Sequence, residues 1–272
     1  MTAFDITAYQ DRLGLEVAPD GIEGVARLQE AHIRSIPFEN IDALLGRPIA
    51  TDLPAIANKM LGARRGGWCF EQNALLEAAL ASIDVPVERR LARVRMGEDA
   101  GGPRSHIALV CLLEGQRWLV DAGFGGPAPL TPLQLDSSGR QEAPNGTYVI
   151  HTDTATNERV ISMVGADGNF SLYGVDEAHV TDPDIVAASF VCASWPGSPF
   201  PSHLMVNGYD GGTRIGIFDR SVTFEQDQRR EKVELETAQA LGDILIGRLG
   251  IALEDGVVDA IWSRVAAEEA AA

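Results

Sequence analysis

The spacing of apolar residues changes at Pro86, and that change limits the folds open to this chain. Ahead of it the spacing is helical: Ile22, Val25, Leu28 and Ala31 make one stripe, and Leu75, Leu76, Ala79, Leu80 and Ile83 another. This predicts helices over 5–13, about 21–35, 53–61 and from about Trp68 to Ile83. The second stops before Pro37, because a residue preceding proline is pushed out of the helical region. The third has Thr51 or Asp52 as cap, Pro54 in its first turn and Gly62 after its end. Beyond Pro86 the apolar runs are short and bounded by turn residues, as strands require. Strands are predicted at 87–95, 106–113, 116–120, 133–135, 146–152, 160–164 and 170–175, a spacing that suits a barrel or meander. A helix over 182–191, strands at 203–206, 213–219 and 221–226, and helices over about 236–249 and 256–268 complete the chain.

At 272 residues the chain is too long for one small core and suits two or three domains or subdomains. Its net charge of −17 argues against a nucleic-acid partner, which would need a basic footprint, and against an anionic membrane surface. No window of 18 apolar residues exists, and the amino terminus lacks a basic region followed by an apolar run, so a cytoplasmic protein is expected. The three cysteines, Cys69, Cys111 and Cys192, are widely spaced and give neither a disulfide framework nor a zinc signature; no metal is expected.

The stretch Arg64-Arg65-Gly66-Gly67-Trp68-Cys69-Phe70-Glu71 places a cysteine where a glycine turn meets a helix. Unpaired N–H groups and the positive end of the helix dipole favour a thiolate there, and Arg64 and Arg65 would add to the effect. The alternative is a small buried hydrophobe. A nucleophilic thiol needs a base, and the base needs an orienting group. Glu114-Gly115 reads as a two-residue hairpin turn that pairs Leu113 with Gln116 and sets Asp121 opposite Ala108. His106 then lies two residues along the same face, a diagonal neighbour of Asp121 about 7–8 Å away at the backbone. Taken singly, His106 could be a satisfied strand-end histidine and Asp121 a turn residue. Their joint placement makes Cys69, His106 and Asp121 a candidate triad.

Four motifs carry a resemblance to the arylamine N-acetyltransferases: His32-x-x-x-Ile36-Pro37-Phe38-Glu39-Asn40, Arg65-Gly66-Gly67-Trp68-Cys69-Phe70-Glu71, Ser105-His106, and Val120-Asp121-Ala122-Gly123-Phe124-Gly125. They span about the first half of the chain; the second half resembles the family mainly in length and in Ser198-Pro199-Phe200. Trp68 departs from the more usual tyrosine or phenylalanine but keeps an aromatic ring. The resemblance implies an α+β fold with a cysteine-protease-like Cys-His-Asp core: a helical bundle (1–85), an antiparallel β-barrel (86–190) and an α/β lid (191–272). It implies a ping-pong reaction in which Cys69 is acetylated by acetyl-coenzyme A and then passes the acetyl group to an arylamine, arylhydrazine or hydrazide. His106 would hold a thiolate–imidazolium pair, with Asp121 supporting the charged ring.

The loop Gly101-Gly102-Pro103-Arg104-Ser105 either cradles the coenzyme phosphates or is a plain hairpin loop. Phe124 is placed by the resemblance at the acceptor pocket; Phe38 either lines it too or packs in the core. Glu39 and Arg65 suit an ion pair that fixes the nucleophile turn. His32, Cys111 and Cys192 are expected in the interior. Monomer and homodimer are both open. The rival readings are a peptidase- or transglutaminase-like cysteine hydrolase, an amide synthase of the same family closing carrier-bound polyketide thioesters, and a non-catalytic binding protein on this scaffold.

Overall fold

The computed structural model describes residues 4–15, 21–227 and 229–269. The first third is a set of helices: α1 (Ile6–Leu13), α2 (Gly21–Ser35), the single turn α3 (Ile41–Leu44), α4 (Leu53–Ala57) and α5 (Cys69–Ala81). Asp5 and Asp52 cap α1 and α4 by accepting from Ala8 N and Ala55 N, each at 3.0 Å. Helix α4 runs on as a wider π turn through Asn58–Gly62, so the predicted helix 53–61 changes its hydrogen-bond register half-way. Apolar faces of α1, α2 and α5 meet in one core, which takes in Leu109, Cys111 and Val120 from the strands beyond.

One short strand lies within this helical third. Phe38–Glu39 (β1) follows Pro37 and pairs with Asn207 and Val206 in the last third of the chain. Its other side meets the nucleophile turn: Glu39 N donates to Gly67 O and Gly67 N to Pro37 O. The approach is so close that a Cβ on Gly66 would stand 2.2 Å from the Pro37 carbonyl oxygen.

Eight strands form the central sheet: β2 (Val87–Val94), β3 (Arg104–Leu113), β4 (Gln116–Val120), β5 (Leu133–Gln134), β6 (Gln141–Ala143), β7 (Gly146–Thr152), β8 (Arg159–Gly165) and β9 (Gly168–Val175). Their order is β5-β4-β3-β2-β9-β8-β7-β6, every pair antiparallel. The ends come together through one side chain: the Gln141 amide accepts from Gln134 N at 2.7 Å and donates to Gln134 O at 3.0 Å. The result is a nearly closed barrel filled by Tyr148, Ile150, Ile161, Leu172, Tyr173 and their neighbours. The β3–β4 hairpin has the predicted register, Leu113 opposite Gln116 and Leu109 opposite Val120.

Helix α6 (Asp182–Ser194) leads into a second sheet of β10 (Met205–Asp210), β11 (Thr213–Phe218), β12 (Ser221–Gln226) and β13 (Arg229–Glu234), with β1 on its far edge. Strand β13 was not expected: Arg229-Arg230-Glu231-Lys232 lacks an apolar alternation because the strand is exposed on both faces. Helix α7 (Ala238–Gly242), its π continuation Asp243–Arg248 and helix α8 (Val257–Glu269) pack on this sheet around Leu241, Leu245, Ile251 and Ile261. The fold is α+β, with a helical bundle, a barrel and an α/β lid. Among the described residues no helix is long and apolar enough to cross a membrane.

Candidate active site

Cys69 is the first residue of α5, with Trp68 as N-cap in extended conformation. The helix start is held from one side by Glu71, whose carboxylate accepts from Trp68 N at 3.1 Å and from Lys59 Nζ at 2.9 Å. From the other side the Gln72 amide donates to the carbonyls of Ile36, Pro37 and Gly67. Gln72 Oε1 must then accept from His32 Nε2, at 2.6 Å, which leaves His32 Nδ1 to accept from the Tyr9 hydroxyl at 2.7 Å. Burial lowers the His32 pKa to about 4, so this interior histidine is neutral and structural. The expected Glu39–Arg65 pair is present at 2.7 Å, in a cluster where Lys59 and Arg65 also meet Asp42.

The sulfur is bracketed by the main chain on both sides of His106. Cys69 Sγ lies 3.8 Å from Ser105 O, and the backbone N–H groups of Ile107 and Phe70 point at it. His106 and Asp121 meet directly: Nε2 to Oδ2 is 2.7 Å, with both side chains buried. A carboxylate only accepts, so Nε2 carries the proton and Nδ1 keeps a free lone pair for base chemistry.

Three further donors, one local and two from distant parts of the chain, converge on Asp121. Asn73 Nδ2 donates to Oδ1 at 2.9 Å, Gly123 N to Oδ1 at 2.8 Å and Tyr173 Oη to Oδ2 at 2.8 Å. Burial works to raise the Asp121 pKa, but His106, Asn73 and Gly123 together outweigh it and hold the carboxylate below its ordinary range. Asn73 also donates to Ile107 O at 2.7 Å and accepts from Ala122 N at 3.1 Å, so one amide ties the nucleophile helix to the His strand and the Asp strand. Gln29 closes the set from α2, accepting from Asp121 N and donating to Pro129 O. At Gly123 a Cβ would come within 2.8 Å of Cys69 Cα, so the Asp121 loop rests directly on the nucleophile's backbone.

The expected electrostatics of Cys69 need correction. Arg65 is turned away onto Glu39 and Asp42, and neither Arg64 nor Arg65 is among the main influences on the thiol. Burial pushes the Cys69 thiol well above its ordinary pKa; Cys192 and the Asp121 carboxylate push the same way, against the two backbone N–H groups. Among the main influences on the sulfur, only the backbone N–H groups of Ile107 and Phe70 favour its ionised form.

The ring of Phe124 stands edge-on to His106, with centroids 5.2 Å apart, and Tyr173 packs on both. Phe38 and Phe124 line one narrow cleft of about 30 Å3, which also reaches Asp121, Gly125, Asn207 and Arg214 but not the sulfur itself. Phe38 is nearly buried and contacts Phe200, so it serves core and cleft at once. The Gly101–Ser105 loop is partly committed to its own hairpin. Gly102 N bonds Val94 O, Gly102 O accepts from Arg93, and Arg104 pairs with Asp176. Ser105 reaches the site through its carbonyl. Cys111 and Cys192 are buried, as expected, and Cys192 Sγ donates to the same Ser105 oxygen at 3.4 Å. Asn73, Gln29 and Tyr173 were not foreseen. Only Asn73 carried a signal, lying one helical turn after Cys69 on the same face.

A family model described as N-acetyltransferase matches residues 21–258. The chain belongs to the arylamine N-acetyltransferase family. It is 33% identical over 259 residues to the arylamine N-acetyltransferase / N-hydroxyarylamine O-acetyltransferase of Salmonella typhimurium, covering 94% of this chain and 91% of that one. The solved structure of the Salmonella typhimurium enzyme superposes with a TM-score of 0.89 over 96% of this chain and 98% of its own, at 30% identity. The Mycobacterium marinum arylamine N-acetyltransferase in complex with CoA gives 0.88 at 28% identity, over 96% and 98%. An arylamine N-acetyltransferase is an acyltransferase, so this chain is an enzyme of that class. Among its described residues no group of three or more His, Cys, Asp and Glu could hold a metal ion.

Proposed function

We propose that this arylamine N-acetyltransferase family member moves an acetyl group from acetyl-coenzyme A, through a Cys69 thioester, to an arylamine, arylhydrazine or hydrazide. The observation that carries the reading is the bracketing of the Cys69 sulfur by the backbone around His106, while His106 is locked to Asp121. In the first half-reaction the Cys69 proton passes to His106 Nδ1. The sulfur attacks the thioester carbonyl, the bond to the coenzyme sulfur breaks, and the leaving thiolate takes the proton from His106. Exchange of one thioester for another is nearly isoenergetic, so activation and positioning are enough. The N–H of Phe70, in the open first turn of α5 and directed at the sulfur, would support the oxyanion. In the second half-reaction the amine nitrogen attacks, His106 accepts its proton, and the Cys69 thiolate leaves.

Asp121 does not change its charge in either step. Its four donors keep it anionic, and it holds the imidazole with Nδ1 free and stabilises the imidazolium. The family relationship, together with the CoA-bound Mycobacterium marinum neighbour, supports coenzyme A as the donor's carrier. Its phosphates would run past Gly101, Gly102 and Arg104 toward Ser105, where the half-exposed guanidinium groups of Arg93 and Arg104 would have to turn from Glu158 and Asp176 to meet them. The aromatic ring of the acceptor would pack between Phe38 and Phe124, which must part to admit it because the cleft between them is narrow. Residues 1–85, 86–190 and 191–272 would then supply nucleophile, base with its orienter, and lid.

Intact-mass measurement after mixing with acetyl-coenzyme A tests this reading. A gain of about 42 Da on Cys69, discharged by an arylamine, is expected. His106→Asn should leave a protonated, buried thiol and slow both acetylation and iodoacetamide alkylation at least ~100-fold. If Cys69 in the unaltered protein neither acetylates nor alkylates faster than a free thiol, the reading fails.

A further inference from the structure

Cys192 has no part in the proposed transfer, yet its sulfur and that of Cys69 converge on one atom. The Ser105 carbonyl oxygen lies 3.8 Å from Cys69 Sγ and 3.4 Å from Cys192 Sγ. The two residues are 123 positions apart, on different helices, and both belong to one apolar cluster with Phe70, Ile107 and Ile185. Both sulfurs therefore reach the same polar atom from within one apolar setting.

We propose that Cys192 is a resolving thiol for Cys69: a peroxide converts the pair to a disulfide that reversibly shuts off the transferase. This rests on Cys69 being the activated nucleophile. The Cys69 thiolate attacks one peroxide oxygen; the S–O bond forms, the O–O bond breaks, and the departing hydroxide or alkoxide takes up a proton. The product is a sulfenic acid. The Cys192 sulfur then attacks the oxidised sulfur. The S–S bond forms, the S–O bond breaks, and the hydroxide combines with the Cys192 proton to leave as water. Two thiols have given up two electrons, and the peroxide has taken them.

The order of events follows from the surroundings. Burial pushes the Cys192 thiol up to about 12, which keeps it protonated and slow toward peroxide. Cys69 has His106 to take its proton and a route by which a thioester must already reach it; a peroxide is far smaller. Because both sulfurs contact the same carbonyl oxygen, only a local shift of the two side chains separates them from bonding distance. The disulfide would hold the nucleophile short of the irreversible sulfinic acid.

The test uses the whole purified protein, treated with a few equivalents of hydrogen peroxide and then with dithiothreitol. The expected product has lost about 2 Da, yields a Cys69–Cys192 cross-linked peptide on unreduced digestion, and regains most of its activity on reduction. Cys192→Ala should start with ordinary activity but, under the same treatment, gain about 32 Da on Cys69 and stay inactive after dithiothreitol. If that variant does not fold, peptide mapping of the unaltered protein decides alone. The proposal is overturned if Cys69 is oxidised with no cross-link to Cys192, or if Cys192→Ala recovers as fully as the parent. Iodoacetamide separates the two readings: a Cys69 that alkylates rapidly yet never cross-links sinks only the resolving role, whereas one that does not alkylate sinks the nucleophile as well.

Discussion

Asn73→Ala is the sharpest probe of how the site is held together. It removes three buried hydrogen bonds at once: to Ile107 O, to Asp121 Oδ1 and from Ala122 N. The two neutral bonds contribute about 1 kcal/mol each and the bond to the carboxylate about 2, for a loss of about 4 kcal/mol. For a chain of this size that corresponds to a fall in Tm of about 7 °C, readable by circular dichroism. The loss should also depend on pH. Asp121 is held below its ordinary pKa, so its contribution to stability is present above the unfolded value of 3.8 and disappears as pH falls through the folded value. Without the Asn73 donor the folded value rises, and acid unfolding begins at higher pH than in the parent. Acetylation of Cys69 should slow about 10- to 100-fold, because helix α5 is no longer tied to the His106 and Asp121 strands. A variant that melts within 2 °C or so of the parent, with an unchanged acid transition, would refute Asn73 as the tie.

Tyr173→Phe keeps the ring against His106 and Phe124 but deletes the hydroxyl on Asp121; a loss of about 2 kcal/mol and roughly tenfold slower acylation are expected, measured by denaturant unfolding and single-turnover kinetics. Gly123→Ala should reduce turnover at least ~100-fold while the far-ultraviolet spectrum stays native, because its methyl group would push the Asp121 loop off the Cys69 backbone. Burial raises the Glu71 pKa from 4.5 to about 7 against the pull of Lys59. The folded protein therefore keeps a proton that the unfolded chain loses, and stability is full below pH 4.5 and falls by up to about 3 kcal/mol as pH rises through 7. Glu71→Gln should flatten that part of the stability–pH curve; an unchanged slope would show that Glu71 is ionised throughout.

What could be known from the sequence alone was what is local. A glycine pair before a helical stripe places Cys69 at a helix start, and a two-residue turn sets the β3–β4 register, so His106 and Asp121 are neighbours before any fold is drawn. These are effects of backbone geometry over a few residues, and the four family motifs reinforce them. The tertiary structure decided the rest. The charge on Asp121 depends on Asn73 and Tyr173, 48 and 52 positions away, and no periodicity announces a hydrogen bond across such a separation. Exposed β13 escaped notice because a strand with no buried face needs no apolar pattern. Arg65, beside Cys69 in sequence, turns onto Glu39 and Asp42 instead, since side chains answer to what packs against them, and burial, which only the folded chain creates, raises the pKa of this thiol.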